Sequence, residues 1–247
     1  MPRFKLTLEY AGTRYRGWQI QTNARTVQGE LNRAIASVIG RRPFDTYGSG
    51  RTDAGVHALA QVAHLDANVT LTPGALLSRI NDALPADINL LALERVPARF
   101  HARHSAVARS YLYQISRRRT AFNKPFVWWV RDELDVARMR AAAERLVGFG
   151  DFRAFTDDDP EEKSTTVLVE KLSLTEDGPL IRVRIVGSHF LWKMVRRIVG
   201  VLVEVGRGGL APADVGKLMA SGSGLPARLT APPSGLFLEE VFYRPES

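Results

Sequence analysis

The chain has 247 residues, 45% hydrophobic and 24% charged, an ordinary globular composition with apolar material for one large core or two joined ones. It contains no cysteine, which excludes disulfides, thiolate catalysis, iron–sulfur clusters and cysteine-bound zinc together. Lysine and arginine number 34 against 26 acidic residues, and the resulting formal charge of +8 attracts polyanions, of which nucleic acid is the commonest large one.

Phe4, Leu6, Leu8 and Tyr10 alternate with polar residues and predict an opening strand. Arg3, Lys5 and Glu9 interrupt that stretch, so no signal peptide is expected. A polar stretch with Gly12 and Gly17 follows. Val27, Leu31, Ala34, Ile35 and Val38 recur at helical spacing, with Thr26 as N-cap and Gly40 as terminator. Phe44 to Tyr47 and Gln61 to Leu65 read as strands. Thr72-Pro73 opens a second helix holding Leu76, Leu77 and Ile80, and Ile88 to Val96 close this half as a strand.

The order then repeats loosely. Tyr111, Tyr113 and Ile115 alternate as a strand, and Val136, Met139, Ala143 and Leu146 mark a helix ending near Gly148. The run Asp157-Asp158-Asp159, with Glu161 and Glu162, reads as a solvated, mobile loop; Pro160 and the missing glycine pattern argue against a calcium site. Val167 to Leu174 pairs with Ile181, Val183 and Ile185 through Asp177-Gly178. Leu191, Val195, Ile198, Leu202 and Val205 form a helical stripe, and Leu236 to Val241 supply a last strand. The longest apolar candidate for a membrane span, Phe190 to Val205, carries Lys193, Arg196, Arg197 and Glu204, so a soluble cytoplasmic protein is expected. The fold class expected is α+β, with one half over residues 1–105 and a second over 106–247.

The chemistry concentrates between Gly48 and Ala58. Gly48, Gly50 and Gly55 permit unusual backbone angles, and Arg51, Thr52, Asp53 and His57 bring a guanidinium, a hydroxyl, a carboxylate and an imidazole among them. The glycine offsets fit neither a Walker loop nor G-x-G-x-x-G. Taken alone, Asp53 could organise an Asx turn and Arg51 could be solvated.

The segment from Gly50 to Ala58 resembles the active-site signature of the tRNA pseudouridine synthase A family. Further motifs fall in that family's order: Glu9-Tyr10-x-Gly12, Tyr15-x-Gly17-Trp18-Gln19, Thr26-Val27-Gln28, Phe100-His101-Ala102-Arg103, Arg109-x-Tyr111-x-Tyr113, Met194-Val195-Arg196-x-Ile198-Val199-Gly200 and Gly235-Leu236-x-Leu238. His104, Ser49 and Ile20 depart from its usual pattern without removing a catalytic group.

The resemblance implies two ferredoxin-like, RRM-like halves with mainly antiparallel sheets around a central active-site cleft. It implies isomerisation of uridine to pseudouridine at positions 38, 39 and 40 of the tRNA anticodon stem-loop, by a homodimer that needs no cofactor and no metal. It makes Asp53 the nucleophile, with Tyr111, Arg51, Arg196 and Leu236 binding the flipped-out nucleotide. Phosphate contacts are expected from Arg14, Arg16, Arg103, Arg109, Lys193 and Arg197, with Tyr15, Trp18 and His101 interleaved, and Arg117-Arg118-Arg119 adding charge. A paralogue acting on another RNA and a non-catalytic RNA-binding module are the competing readings.

Overall fold

The computed structural model describes residues 1–162, 164–219, 221 and 223–244. The chain is a mixed α/β protein with mostly antiparallel β-sheet and several helices. It divides into two compact units, Met1–Val107 with Phe237–Ser247, and Ala108–Leu236. Among the described residues, no helix is long and apolar enough to cross a membrane.

The first unit runs β1 (Arg3–Tyr10), α1 (Val27–Ile39), β2 (Phe44–Gly48), β3 (His57–Ala67), α2 (Pro73–Ala83) and β4 (Ile88–Val96). Both helices start where their caps place them: the Thr26 hydroxyl accepts from the Gly29 amide at 3.2 Å, and the Thr72 hydroxyl from the Ala75 amide at 3.3 Å. Gly40, at φ 72°, ends α1. β1 lies between β4 and β3, antiparallel to both. Phe4, Leu6, Leu8 and Tyr10 form its buried face, and the register sets Leu65, Ala63 and Gln61 beside the first three. The far edge of β3 is shared. β2 pairs antiparallel along its second half, from Gly48 opposite Ala63 to Phe44 opposite Ala67. Phe237 and Leu238 pair in parallel with its first residues, His57 and Ala58.

The second unit follows β5 (Ala106–Ser116) with β6 (Trp128–Trp129), α3 (Val136–Glu144), β7 (Gly148–Asp151), β8 (Thr166–Asp177), β9 (Leu180–Gly187), α4 (Met194–Gly206), α5 (Val215–Leu218) and α6 (Leu225–Arg228), and leads into β10 (Leu236–Tyr243). β9 lies between β5 and β8, antiparallel to both, and β7 extends β8. Ile198, Val199, Leu202 and Val203 of α4 are fully buried, and α3 packs on α4 and β8. Gly200 brings α4 so near the chain after α6 that a Cβ there would overlap the Leu229 carbonyl.

Element types match the expectations, and the differences have local causes. β3 begins at His57 rather than Gln61 because Val56, His57 and Ala58 are all buried, which erases the alternation. α4 excludes Leu191 because Lys193, at φ 61°, adopts a left-handed backbone just before Met194. α3 stops at Glu144, leaving Leu146 outside the helix. β6, β7, α5 and α6 span two to four residues each and carry no period to read.

The Gly200 contact gives a direct test. Gly200→Ala is expected to destabilise the protein by about 1–3 kcal/mol, since the Cβ must push α4 and Leu229 apart. Calorimetric unfolding of the variant against the parent chain measures it.

Candidate active site

Asp53 is half-buried in the loop of residues 49–56, which leaves β2 and enters β3. The loop backbone is pinned along its length. The Ser49 amide donates to the Val62 carbonyl at 2.7 Å, the Trp18 amide to the Thr52 carbonyl at 3.0 Å, and the Gly55 amide to the Tyr15 carbonyl at 3.2 Å. The Val56 amide closes a turn onto the Asp53 carbonyl at 3.1 Å. Buried side chains reinforce these bonds. Thr52 Oγ1 lies 2.8 Å from Tyr10 Oη, and Gln61 donates from Nε2 to the Gly50 carbonyl at 3.2 Å while its Oε1 accepts from Ser49 Oγ at 2.7 Å.

Two of these bonds come from a second loop, residues 12–18, and glycine makes the approach possible. A Cβ on Gly17 would stand 2.6 Å from the Thr52 carbonyl oxygen, and its φ of 98° is one that L side chains rarely adopt. A Cβ on Gly12 would overlap the Val56 carbonyl. Gly55, at φ 78°, forms the turn after Asp53. His57 is buried; its Nδ1 accepts from the Gly12 amide at 3.0 Å, and its ring stacks on Phe237 at 4.8 Å. Nδ1 therefore carries no proton, and the imidazole holds the loop base.

Arg51 is exposed on the same loop, where residues 51–53 belong to no strand. Arg14 and Arg16 are exposed on the clamping loop. Tyr15 and Trp18, expected to face RNA, are core residues instead. Trp18 is 1% exposed, and the buried Tyr15 donates its hydroxyl to Asp87 at 2.5 Å. The glycine-permitted approach turns both side chains inward. Desolvation, then the bond to Asp87, pushes the Tyr15 phenol well above its ordinary range. His101 and Arg103 lie beyond β4, where the Ala102 amide donates to His64 Nδ1 at 3.1 Å. Arg103 is exposed and His101 half-buried.

In the second unit Tyr111 is half-buried on β5 with its ring edge-on to Phe190, centroids 5.0 Å apart. Tyr113 is fully buried and donates its hydroxyl to the Pro232 carbonyl at 2.8 Å, so it packs in the core, whereas Tyr111 is only half-buried. Leu236 is buried, next to Gly235, where a Cβ would stand 2.6 Å from the Tyr113 ring. Arg109 donates to the Ser188 carbonyl at 2.9 Å. Arg196, in the first turn of α4, donates from Nε to the Ala231 carbonyl at 2.7 Å, and its own carbonyl accepts from the Ala231 amide at 3.1 Å.

Arg197 does not face solvent. It is 4% exposed and spends its guanidinium on the Thr156 carbonyl at 2.6 Å and on the Asp157 carboxylate. Asp157 also accepts from Lys193 Nζ at 2.7 Å, and the Asp158 carboxylate accepts from the Trp192 amide at 3.0 Å. The start of the acidic run is therefore a clip onto the entrance of α4, not a solvated loop. Lys193 keeps partial exposure beside Trp192, 4.5 Å from the ring centroid. The Lys193 hydrogen bond, aided by Arg197 and opposed by partial burial, holds the Asp157 carboxyl below its usual range.

Sequence reasoning missed the roles of Tyr10, Thr52 and Gln61. Gln61 gave a signal: alternation on β3 puts this amide on the face of Ala63 and Leu65, and a polar group in a core row demands partners. Asp157 gave none, because its partners lie 36 and 40 residues away.

Gly17→Ala is expected to cost about 1–3 kcal/mol through strain and overlap. Hydrogen exchange should show faster exchange at the amides of residues 52–56 while the strand amides of β1 keep their protection. The Asp157 clip sets an acid dependence. A depressed carboxyl contributes stability above its unfolded pKa of about 3.9 and loses that contribution as pH falls through the lower folded value. Asp157→Asn is expected to lower stability at neutral pH by about 1–3 kcal/mol, less than for a fully buried pair because the carboxylate is one-third exposed. It should also flatten the acid limb of urea unfolding below about pH 4.

The chain matches the family model described as tRNA pseudouridine synthase over residues 7–105 and 142–244. The tRNA pseudouridine synthase A of Rhodopseudomonas palustris (strain BisA53) is 43% identical, over 98% of this chain and 100% of its own. Those of Aquifex aeolicus (strain VF5), 39% identical over 98% and 99%, and Exiguobacterium sibiricum, 38% identical over 100% and 98%, are similar to the same extent. The Asp53 loop and its clamping loop lie in the first matched block, and α4 and Leu236 in the second. With a model matching most of its length and relatives aligning end to end, the chain belongs to the tRNA pseudouridine synthase family.

Proposed function

We infer that this protein is an isomerase that converts uridine to pseudouridine in tRNA, with Asp53 as the nucleophile. The reaction breaks the bond from ribose C1′ to uracil N1, turns the base, and joins C1′ to C5; the proton lost from C5 is balanced by one gained at N1. The observation that carries the reading is the clamped loop: Asp53 sits on a backbone held by main-chain bonds and a buried hydroxyl–amide network, in a chain of this family. A stiff loop backbone supports this reading, because covalent attack demands a narrow range of geometry.

Tyr111 suits stacking on an extracted base, because it carries a half-buried ring steadied edge-on by Phe190. Arg51 and Arg196 supply guanidinium groups for the nucleotide's phosphates, and Leu236 an apolar wall. Arg14, Arg16, Arg103, Arg109 and Lys193 remain candidates for the RNA backbone, with His101; the buried Trp18 and Arg197 serve the fold. We further propose that the target is the anticodon stem-loop at positions 38, 39 and 40, and that the enzyme works in the cytoplasm as a homodimer. The first unit's β-α-β-β-α-β order, with β4-β1-β3-β2 pairing, supports a ferredoxin-like description of that half.

Unmodified tRNA transcript, incubated with the protein and mapped by carbodiimide and primer extension, is expected to show pseudouridine confined to the anticodon arm. Asp53→Asn should reduce product formation by about a thousandfold or more while leaving tRNA affinity within about threefold. Unchanged turnover in that variant would remove Asp53 from the chemistry.

A further inference from the structure

The mechanism leaves unused the chain between β5 and α3. Residues 117–131 hold Arg117, Arg118, Arg119, Lys124 and Arg131 with no acidic residue among them, and also Phe122, Phe126, Trp128 and Trp129. Arg117 is engaged by Glu176 at 2.9 Å. Arg118, Arg119, Lys124 and Arg131 are exposed and have no carboxylate partner among the described residues.

The two tryptophans divide their work. Trp128 turns inward, edge-on to Tyr113 with centroids 6.3 Å apart, whereas Trp129 is 42% exposed with the Arg119 guanidinium 5.8 Å over its ring. Their backbone is fixed. Trp128 and Trp129 pair with Ile115 and Ser116, the Val130 amide donates to the Ser116 carbonyl at 3.0 Å, and Ser116 Oγ donates to the Arg118 carbonyl at 2.6 Å. Phe122, on the same segment, is 94% exposed. Here a rigid base presents open rings among unneutralised cations. Bases stack on exposed rings and phosphates neutralise cations, so a single strand of nucleic acid satisfies both features together.

We propose that this segment is a second RNA-contact site, where Trp129 stacks on an unpaired base of the tRNA outside the reacting nucleotide and Arg118, Arg119 and Lys124 hold the flanking phosphates. The proposal rests on tRNA being the substrate. A second copy of the chain is the poorer occupant: across a two-fold axis the patch would meet itself, like charge against like, and interface cores are depleted in charge.

The test uses the full chain with Trp129→Ala, Trp129→Tyr and the double variant Arg118→Ala/Arg119→Ala. Binding of a fluorescein-labelled, unmodified tRNA transcript is followed by anisotropy from low to high salt. Trp129→Ala is expected to weaken binding about 10-fold, with Trp129→Tyr recovering most of the loss because a ring remains to stack. The arginine double variant should lower the slope of log affinity against log salt by about 1–2, as lost phosphate contacts require. With the parent's pseudouridine formation measured alongside, the losses should appear in KM rather than kcat.

Parental affinity and salt slope in all three variants would overturn the proposal, as would a change of subunit number by light scattering that accounts for the weaker binding. A parent chain that binds no tRNA overturns it equally. The reaction assignment fails separately: a parent that makes no pseudouridine but loses tRNA affinity on these substitutions keeps the RNA site and discards the isomerase reading.

Discussion

Backbone contact between residues 12–18 and 49–56 sets where Asp53 stands, and much of the first unit is arranged to make it possible. Main-chain hydrogen bonds are directional and cost no side-chain rotamer freedom, so a loop held by them is stiffer than one held by long side chains. The approach requires that nothing project from Gly12 and Gly17. Where the loops touch, Tyr15 and Trp18 turn inward and become core, while Arg14 and Arg16 stay exposed. The position of one carboxylate and the filling of one core therefore have the same origin.

A comparable economy operates at the start of α4, with an opposite physical cost. Arg197 is charged and nearly sealed from water, and its Nε has no hydrogen-bond partner among the described residues. Burial of an ion is unfavourable unless it is paired, and Asp157 with the Thr156 carbonyl supplies the pairing. Successive helical residues point about 100° apart, so fixing Arg197 toward Asp157 commits Arg196 to another direction, where it meets Ala231. Lys193, in its left-handed backbone, and the bond from Trp192 to Asp158 fix how the chain enters that first turn.

Features whose cause is local were legible in the sequence. Thr26, Gly40 and Thr72-Pro73 delimit α1 and α2 where their caps and conformations require. The alternation of β1 and the turn at Gly178 between β8 and β9 also follow from neighbours in the chain. What escaped depends on partners far away. Arg197 and Trp18 carry the composition of RNA-facing residues, and only the distant Asp157 and the glycine-permitted loop contact turn them inward. The acidic run looked solvated for the same reason: charge density is visible in a sequence, whereas a buried counterion 40 residues off is not. The Asp53 loop stood out through its motif; the network of Tyr10, Thr52 and Gln61 that steadies its backbone did not.

The parallel pairing of Phe237 and Leu238 with the start of β3 has a temporal consequence. The ring that stacks on His57, immediately after the Asp53 loop, is contributed from residue 237, so it is translated long after the rest of its sheet. Domains ordinarily fold as units in the order they leave the ribosome, at about 5–20 residues per second. Here the first residues of β3, beyond the stretch that β2 covers, must wait for their partner for roughly 10 seconds or more after β3 has emerged. Through that interval the nascent chain carries an unfinished sheet margin beside the Asp53 loop, and β10 is the strand that closes it.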